Sequence, residues 1–456
     1  MKKILVVYFL FVLNLLGQEI KIVQLINADS LVGRVLNNEN IRILNGNVQF
    51  LHEDIRIYCD RAIQFIQSNR VELEGNIQII QGNTLLKTPK GSYLGNKKVA
   101  VGSNGITLND GKITLVADSG EYFFPEKKAM FKGKVKLFDD TTTLTADKLI
   151  YFTDKELANA YENVTITQNL NHIFADSLYF YRKDNFTLAF GNVITYNEND
   201  NLKIFSDYLE NDQQKKHSLV SGQPILIQID TFSEGKVDTL IIHAKKMEAY
   251  RDTEDIYYAF DSVKVWRNEF RAISPYILYK KSEGKIFTSN TNNFQPLFWY
   301  NENLAYGDSV EIFVENNRVK KARLFYNSFL ISMDTLSRNR FNQMNGNFIE
   351  LNFDEKSLIS VLVNGNSLGI YYLYDNDEPN GLNKASSDSA LIVFEDNKVS
   401  EIKLFGNPEG EYHPEELIKG KENDFLLTGF KWIKEKPEKD ELLRLRNNLI
   451  NKSNHN

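Results

Sequence analysis

The chain has 456 residues, with 54 Lys and Arg against 60 Asp and Glu, a formal net charge of −6. It is 42% hydrophobic and 12% aromatic, which is enough apolar material for a core and excludes wholesale disorder. The mild acidity argues against a nucleic-acid binder, and 25 Gly against only 9 Pro excludes collagen-like and proline-rich classes.

The N-terminus opens with Met1-Lys2-Lys3, followed by an uncharged apolar run from Ile4 to Leu13 and then Asn14-Leu15-Leu16-Gly17. A basic start before a short apolar run is the pattern of an export signal, with cleavage expected after Gly17. The run is too short for a membrane span, which needs about 20 residues. No cysteine follows it, so no lipoprotein anchor is expected, and the mature chain is expected to be exported and soluble or peripheral. The single cysteine, Cys59, forms no internal disulfide and no cysteine-based zinc site. It is expected to be a small buried apolar residue.

From residue 46 onward the sequence repeats. Gly46-Asn47-Val48, Gly75-Asn76-Ile77, Gly133-Lys134-Val135, Glu162-Asn163-Val164 and Gly191-Asn192-Val193 recur, with a looser copy at Gly102. Their starts at 46, 75, 102, 133, 162 and 191 are 29, 27, 31, 29 and 29 residues apart. A second marker falls about midway: Cys59-Asp60, Ala117-Asp118, Ala146-Asp147, Ala175-Asp176 and Ser206-Asp207. An apolar residue precedes each second marker and an aromatic run follows it, as in Tyr151-Phe152 and Tyr179-Phe180-Tyr181. Two markers holding one spacing identify a repeat architecture.

Each unit reads as strands. Val135-Lys136-Leu137 and Val164-Thr165-Ile166 alternate with period two. Leu144 and Ala146 share one parity, whereas Leu149 and Tyr151 take the other, and the same flip follows Asp118 and Asp176. A parity flip inside a strand predicts a bulge or bend. A unit of about 29 residues is therefore two long bent strands joined by turns such as Asp139-Asp140 and Lys183-Asp184-Asn185. From about 221 the repeat stretches but continues, and residues 325 to 406 keep strand character. After Pro408 the texture changes. His413 to Leu417 could start a short helix, and Asp440 to Ile450 carries leucines at helical spacing. Residues 408–456 are expected to form a charged, partly helical peripheral tail with a disordered end.

Little in the chain suggests chemistry. The six histidines show no metal-ligand spacing, and there is no phosphate-binding glycine loop or nucleophile elbow. No catalytic, cofactor or metal site is expected. The repeated Asp60, Asp118, Asp147, Asp176 and Asp207 are read as caps that bond local backbone amides at each bend. A calcium ladder would need several oxygen ligands converging, and one Asp per unit is poor for that.

The paired Gly-Asn-Val and Ala-Asp markers resemble the OstA-like, LptA-like family of periplasmic lipopolysaccharide-export proteins. The resemblance is clearest over about 46 to 290 and weaker over 325 to 406. It implies an all-β fold: an elongated antiparallel β-jellyroll opened like a V, the β-taco, here with a short partly helical C-terminal tail. It also implies a non-enzymatic periplasmic protein, in contact with the outer-membrane machinery, that holds lipid A acyl chains along an apolar interior. Implied partners are lipopolysaccharide and the inner- and outer-membrane transport proteins, joined by edge-strand pairing, together with head-to-tail self-association and no nucleic acid. The residues expected to line the lipid groove are Val135, Leu137, Leu144, Ala146, Val164, Ile166, Ile173 and Ala175. The expected division is 1–17 leader, 18–290 jellyroll repeats, 291–407 further repeats continuing the array or forming a second jellyroll, and 408–456 tail. Two other readings stay open. One is an outer-membrane scaffold that uses the same strands for protein contacts alone. The other is a polysaccharide-processing enzyme on a parallel β-helix.

Overall fold

The computed structural model describes residues 22–451 apart from 232–234, 236, 292–293, 355–356 and 397. The expected leader Met1–Gly17 and the last residues of the tail lie outside the described residues. The fold is an all-β antiparallel jellyroll with a short helical tail. Every strand pairing among the described residues is antiparallel, which is not the pattern of a parallel β-helix.

The flip in parity is a corner. In strand Glu39–His52, residues 41–45 pair with 61–65 of strand Ile55–Phe65, and residues 48–52 pair with 55–59. The register shifts between Asn45 and Val48. Each long strand thus gives one half to a first wall and the other half to a second wall. Burial follows the flip: Ile55, Ile57 and Cys59 are buried before the corner, Ala62 and Gln64 after it. The same shift recurs at Glu74/Ile77, Tyr161/Val164, Phe190/Val193, Phe260/Val263 and Asn345/Phe348.

The corner chemistry explains the two markers. Gly75 (φ +75°) and Asn76 (φ +45°) are both left-handed, a conformation that glycine and asparagine tolerate best. Asp60 lies across from them on the neighbouring strand, and Asn76 Nδ2 donates to its Oδ2 at 2.9 Å. Asn163 donates to Asp147 at 2.6 Å, Asn192 to Asp176 at 2.6 Å and Asn327 to Asp308 at 2.7 Å in the same way. Asp60, Asp147 and Asp176, expected to cap local amides, therefore accept from the asparagine of the next corner instead.

The chain divides into two compact units. The first comprises Met1–Asp140 with Lys148–Asp154, and the second comprises Thr141–Asp147 with Lys155–Asn456. In the first unit the halves alternate between the walls up to strand Lys128–Phe138, whose end pairs with Thr114–Ala117. In the second unit the pairing runs without a break through residue 290: Phe270–Lys280 pairs with both Lys285–Ser289 and Leu297–Tyr300. The tail carries α1 (Glu415–Ile418) and α2 (Lys439–Asn451); the latter lies where the leucine spacing suggested a helix, but it starts at Lys439, so Asp440 and Glu441 fall in its first turn.

Candidate functional site

Directly paired residues in an antiparallel sheet share a face. In the second wall of the second unit, one such ladder runs Ile173, Thr195, Ile204, Leu226, Ile242, Val265, Ala272, Phe298, Ala305, Leu330 and Met344. The opposite face carries Phe205, Ile225, Ile241, Trp299, Leu304, Ile331 and Ile370. Both faces are apolar, which a wall of a simple sandwich does not need.

The two faces meet different surroundings. On the inner side, Phe298, Ala305, Leu330 and Met344 look across at Ile312, Ala322, Leu324, Leu351 and Ile392 of the first wall, and between them lies a cavity of about 980 Å³. That is at the upper end of ligand-pocket sizes, roughly 300–1,000 Å³. At its edge Tyr300 and Phe353 meet ring to ring from opposite walls, 5.2 Å apart. Arg267 at the rim is held by Asp238 at 2.6 Å and Asp230 at 3.1 Å. Several inner residues, including Ile204, Leu226, Ile242, Ala305, Leu330 and Met344, are only half-buried.

On the outer side the second wall is sealed. Trp299, Leu304, Tyr306, Ile331, Ile370 and Leu382 pack against Ile418 and Leu427 of the tail, with Phe425, Phe430 and Trp432 around them. Leu442 of α2 sits on Phe205, Ile225 and Ile241. Where the inner side chains are loosest, the outer ones are the most tightly buried.

No group of His, Cys, Asp and Glu among the described residues could hold a metal ion. Cys59 is buried, and burial with the adjacent Asp60 pushes its thiol up to about 12, so it is inert at neutral pH. No described helix is long and apolar enough to cross a membrane.

The family comparisons bear on the first half of the chain. Residues 20–169 match the family described as OstA-like protein. Residues 114–231 match the family described as LptA/(LptD N-terminal domain) LPS transport protein. Residues 20–231 are OstA/LptA-like. No curated protein matches the chain. Among solved structures it is similar to LptH, the LptA homologous periplasmic component of the lipopolysaccharide transport device from Pseudomonas aeruginosa. That likeness is 18% identical, with a TM-score of 0.23, and covers 24% of this chain and 82% of that one.

The OstA/LptA-like region and the cavity are separate in sequence, because every residue lining the cavity lies at Val237 or beyond. The eight residues singled out by the repeat divide between the units: Val135 and Leu137 fall in the first, the other six in the second. All eight are buried, at 0–9% exposure, and none lines the cavity. Sequence reasoning missed the cavity residues because it looked for the clearest repeats. A usable signal was present. Ile225-Leu226-Ile227, Leu240-Ile241-Ile242 and Leu297-Phe298-Trp299-Tyr300 are unbroken apolar runs, the mark of a strand covered on both faces.

Proposed function

We propose that this protein is a periplasmic component of lipopolysaccharide transport that carries lipid A acyl chains in the interior of its jellyroll, with the cavity of residues 237–404 as the main seat. The observation that carries the reading is that cavity: a large apolar space, lined from both walls, in a chain whose first half is OstA/LptA-like. Each methylene moved from water into such a space contributes about 0.8 kcal/mol. A dozen methylenes therefore suffice for useful affinity, without a deep pocket that would hinder release. The eight buried residues from Val135 to Ala175 continue the apolar interior within their own units, where packing leaves little room. Delivery then proceeds toward the outer membrane through partner proteins of the same transport system.

Edge-strand contact with those partners has its own support. Strand Ser30–Leu36 is exposed along its whole length, and among the described residues it pairs only with Glu39–His52. Leu31, Val32, Val35 and Leu36 stand in solvent. An unpaired edge of this kind accepts a strand from a partner or from a second copy of the chain. The protein-only scaffold reading shares that edge but leaves the cavity unused.

Filling the cavity tests the reading. Ala305→Trp puts an indole into the space from the inner face, and Lys136→Trp adds the same group on an exposed position. The first is expected to weaken binding of purified lipopolysaccharide by roughly tenfold, about 1.4 kcal/mol, and the second to leave it unchanged. Equal binding by both variants would count against the cavity as the acyl site.

A further inference from the structure

The tail is a separate layer laid on the back of the cavity wall. Among the described residues, its backbone–backbone bonds outside the helices, such as Lys421 to Ile418 and Phe430 to Leu427, stay within the tail itself. It is joined to the second wall by side chains. Tyr306 Oη donates to the Gly429 carbonyl at 3.0 Å and accepts from the Lys431 amide at 3.0 Å. The Leu427 amide donates to Gln343 Oε1 at 2.9 Å. Trp299 Nε1 donates to the Ile433 carbonyl at 3.4 Å. Ion pairs pin the segment along its length: Arg340 to Glu415 at 2.7 Å, Lys436 to Glu302 at 2.8 Å and Lys264 to Glu441 at 2.6 Å.

The strands gripped by the tail are the same strands that line the cavity. Leu304 and Ile331 face the tail while their neighbours Ala305 and Leu330 line the cavity, and Trp299 and Gln343 touch the tail and border the cavity as well. One layer of strand separates the tail from the space inside. A packed interior does not stretch continuously, so a wall pressed from within moves only if what is packed behind it moves too.

We propose that the tail, residues 414–451, is a clamp whose seat on the back of the second wall governs how readily acyl chains enter and leave the cavity. This rests on the acyl-site reading above. With the clamp seated, the wall is held between two apolar layers and exchange is slow. With it loosened, the wall yields and exchange is fast. The clamp touches no cargo and acts through the position of the wall.

The test uses the full chain and its exchange of dansyl-undecanoic acid, followed by stopped-flow fluorescence. Two cysteine pairs, K264C with E441C and E302C with K436C, are bridged by a short bismaleimide. The buried Cys59 thiol, raised to about 12, stays out of the reaction. L427E and L442E loosen the seat from the tail side, leaving the walls untouched. Bridging is expected to slow release of the probe at least tenfold against the same variants labelled with single maleimides, and loosening to speed it by a similar factor. Release from the bridged chain at the rate of its singly labelled controls would overturn the clamp, whatever the loosened variants do. If instead the wild type takes up no probe, or Ala305→Trp takes it up equally well, the acyl-site reading fails and the clamp falls with it.

Discussion

At the scale of the residue, the repeat is a backbone device. The Gly-Asn marker recurs because two consecutive positions at each corner are left-handed, and the Asp marker recurs because it sits directly against that corner. A Cβ on Gly75 would lie 2.4 Å from Asp60 Oδ2, and one on Gly191 would lie 2.4 Å from Asp176 Oδ2. At these two corners glycine relieves a close approach as well as supplying φ, whereas Glu162 (φ +64°) fills the matching position before Asn163. Gly105 (φ +103°) has nothing within 4 Å of the same position. Gly75→Ala is therefore expected to cost about 2–3 kcal/mol and Gly105→Ala only about 1 kcal/mol, measured by urea unfolding. Equal losses would mean that the Asp latch adds nothing to the corner. The glycines and the spacing were legible in the sequence because φ > 0 restricts residue choice. The role of the aspartates was not, since their partners are 16 residues away on the next strand.

At the scale of the element, the strands and their corners could be read from the parity flips at Asp118, Asp147 and Asp176. The unbroken apolar runs of the second wall mark strands covered on both faces, but the source of the cover could not be read. The wall's outer face departs from the apolar-in, polar-out rule because the tail covers it, and nothing in residues 190–390 announces a cover supplied from residues 414–451. The seat of α2 also carries a titration. His243 is buried beside that seat, with Nε2 at 3.1 Å from Gln223 Oε1. Burial, and then the charge of Lys264, hold its imidazole below the ordinary value of 6.5, against a smaller opposing pull from Glu441. A depressed histidine takes up its proton more readily in the unfolded chain. Its share of stability is thus full above about pH 6.5 and is lost as the pH falls toward the folded value. His243→Gln is expected to flatten the pH dependence of unfolding free energy just below pH 6.5, measured by urea titration at stepped pH. An unchanged slope would show that the histidine is equally free to ionise in the folded state.

At the scale of the whole molecule, close packing at the eight residues from Val135 to Ala175 and open space among residues 237–404 suggest a division of labour. The OstA/LptA-like part supplies close-packed repeats and an exposed edge strand, and on the proposed reading the cavity-bearing part supplies room for acyl chains. The apolar interior was legible from period-two alternation. The place where it opens was not, because it depends on how far the walls part, and both faces of those strands read alike. In-cell photo-crosslinking tests the account most directly. A photoreactive residue is placed at Leu330 or Met344 inside the cavity, at Leu144 or Ile166 in the close-packed interior, and at exposed Lys136. Adducts with lipopolysaccharide are expected to be strongest at Leu330 and Met344, weaker at Leu144 and Ile166, and missing at Lys136. Lipopolysaccharide captured at Leu144 and Ile166 but never at the two cavity positions would contradict the account.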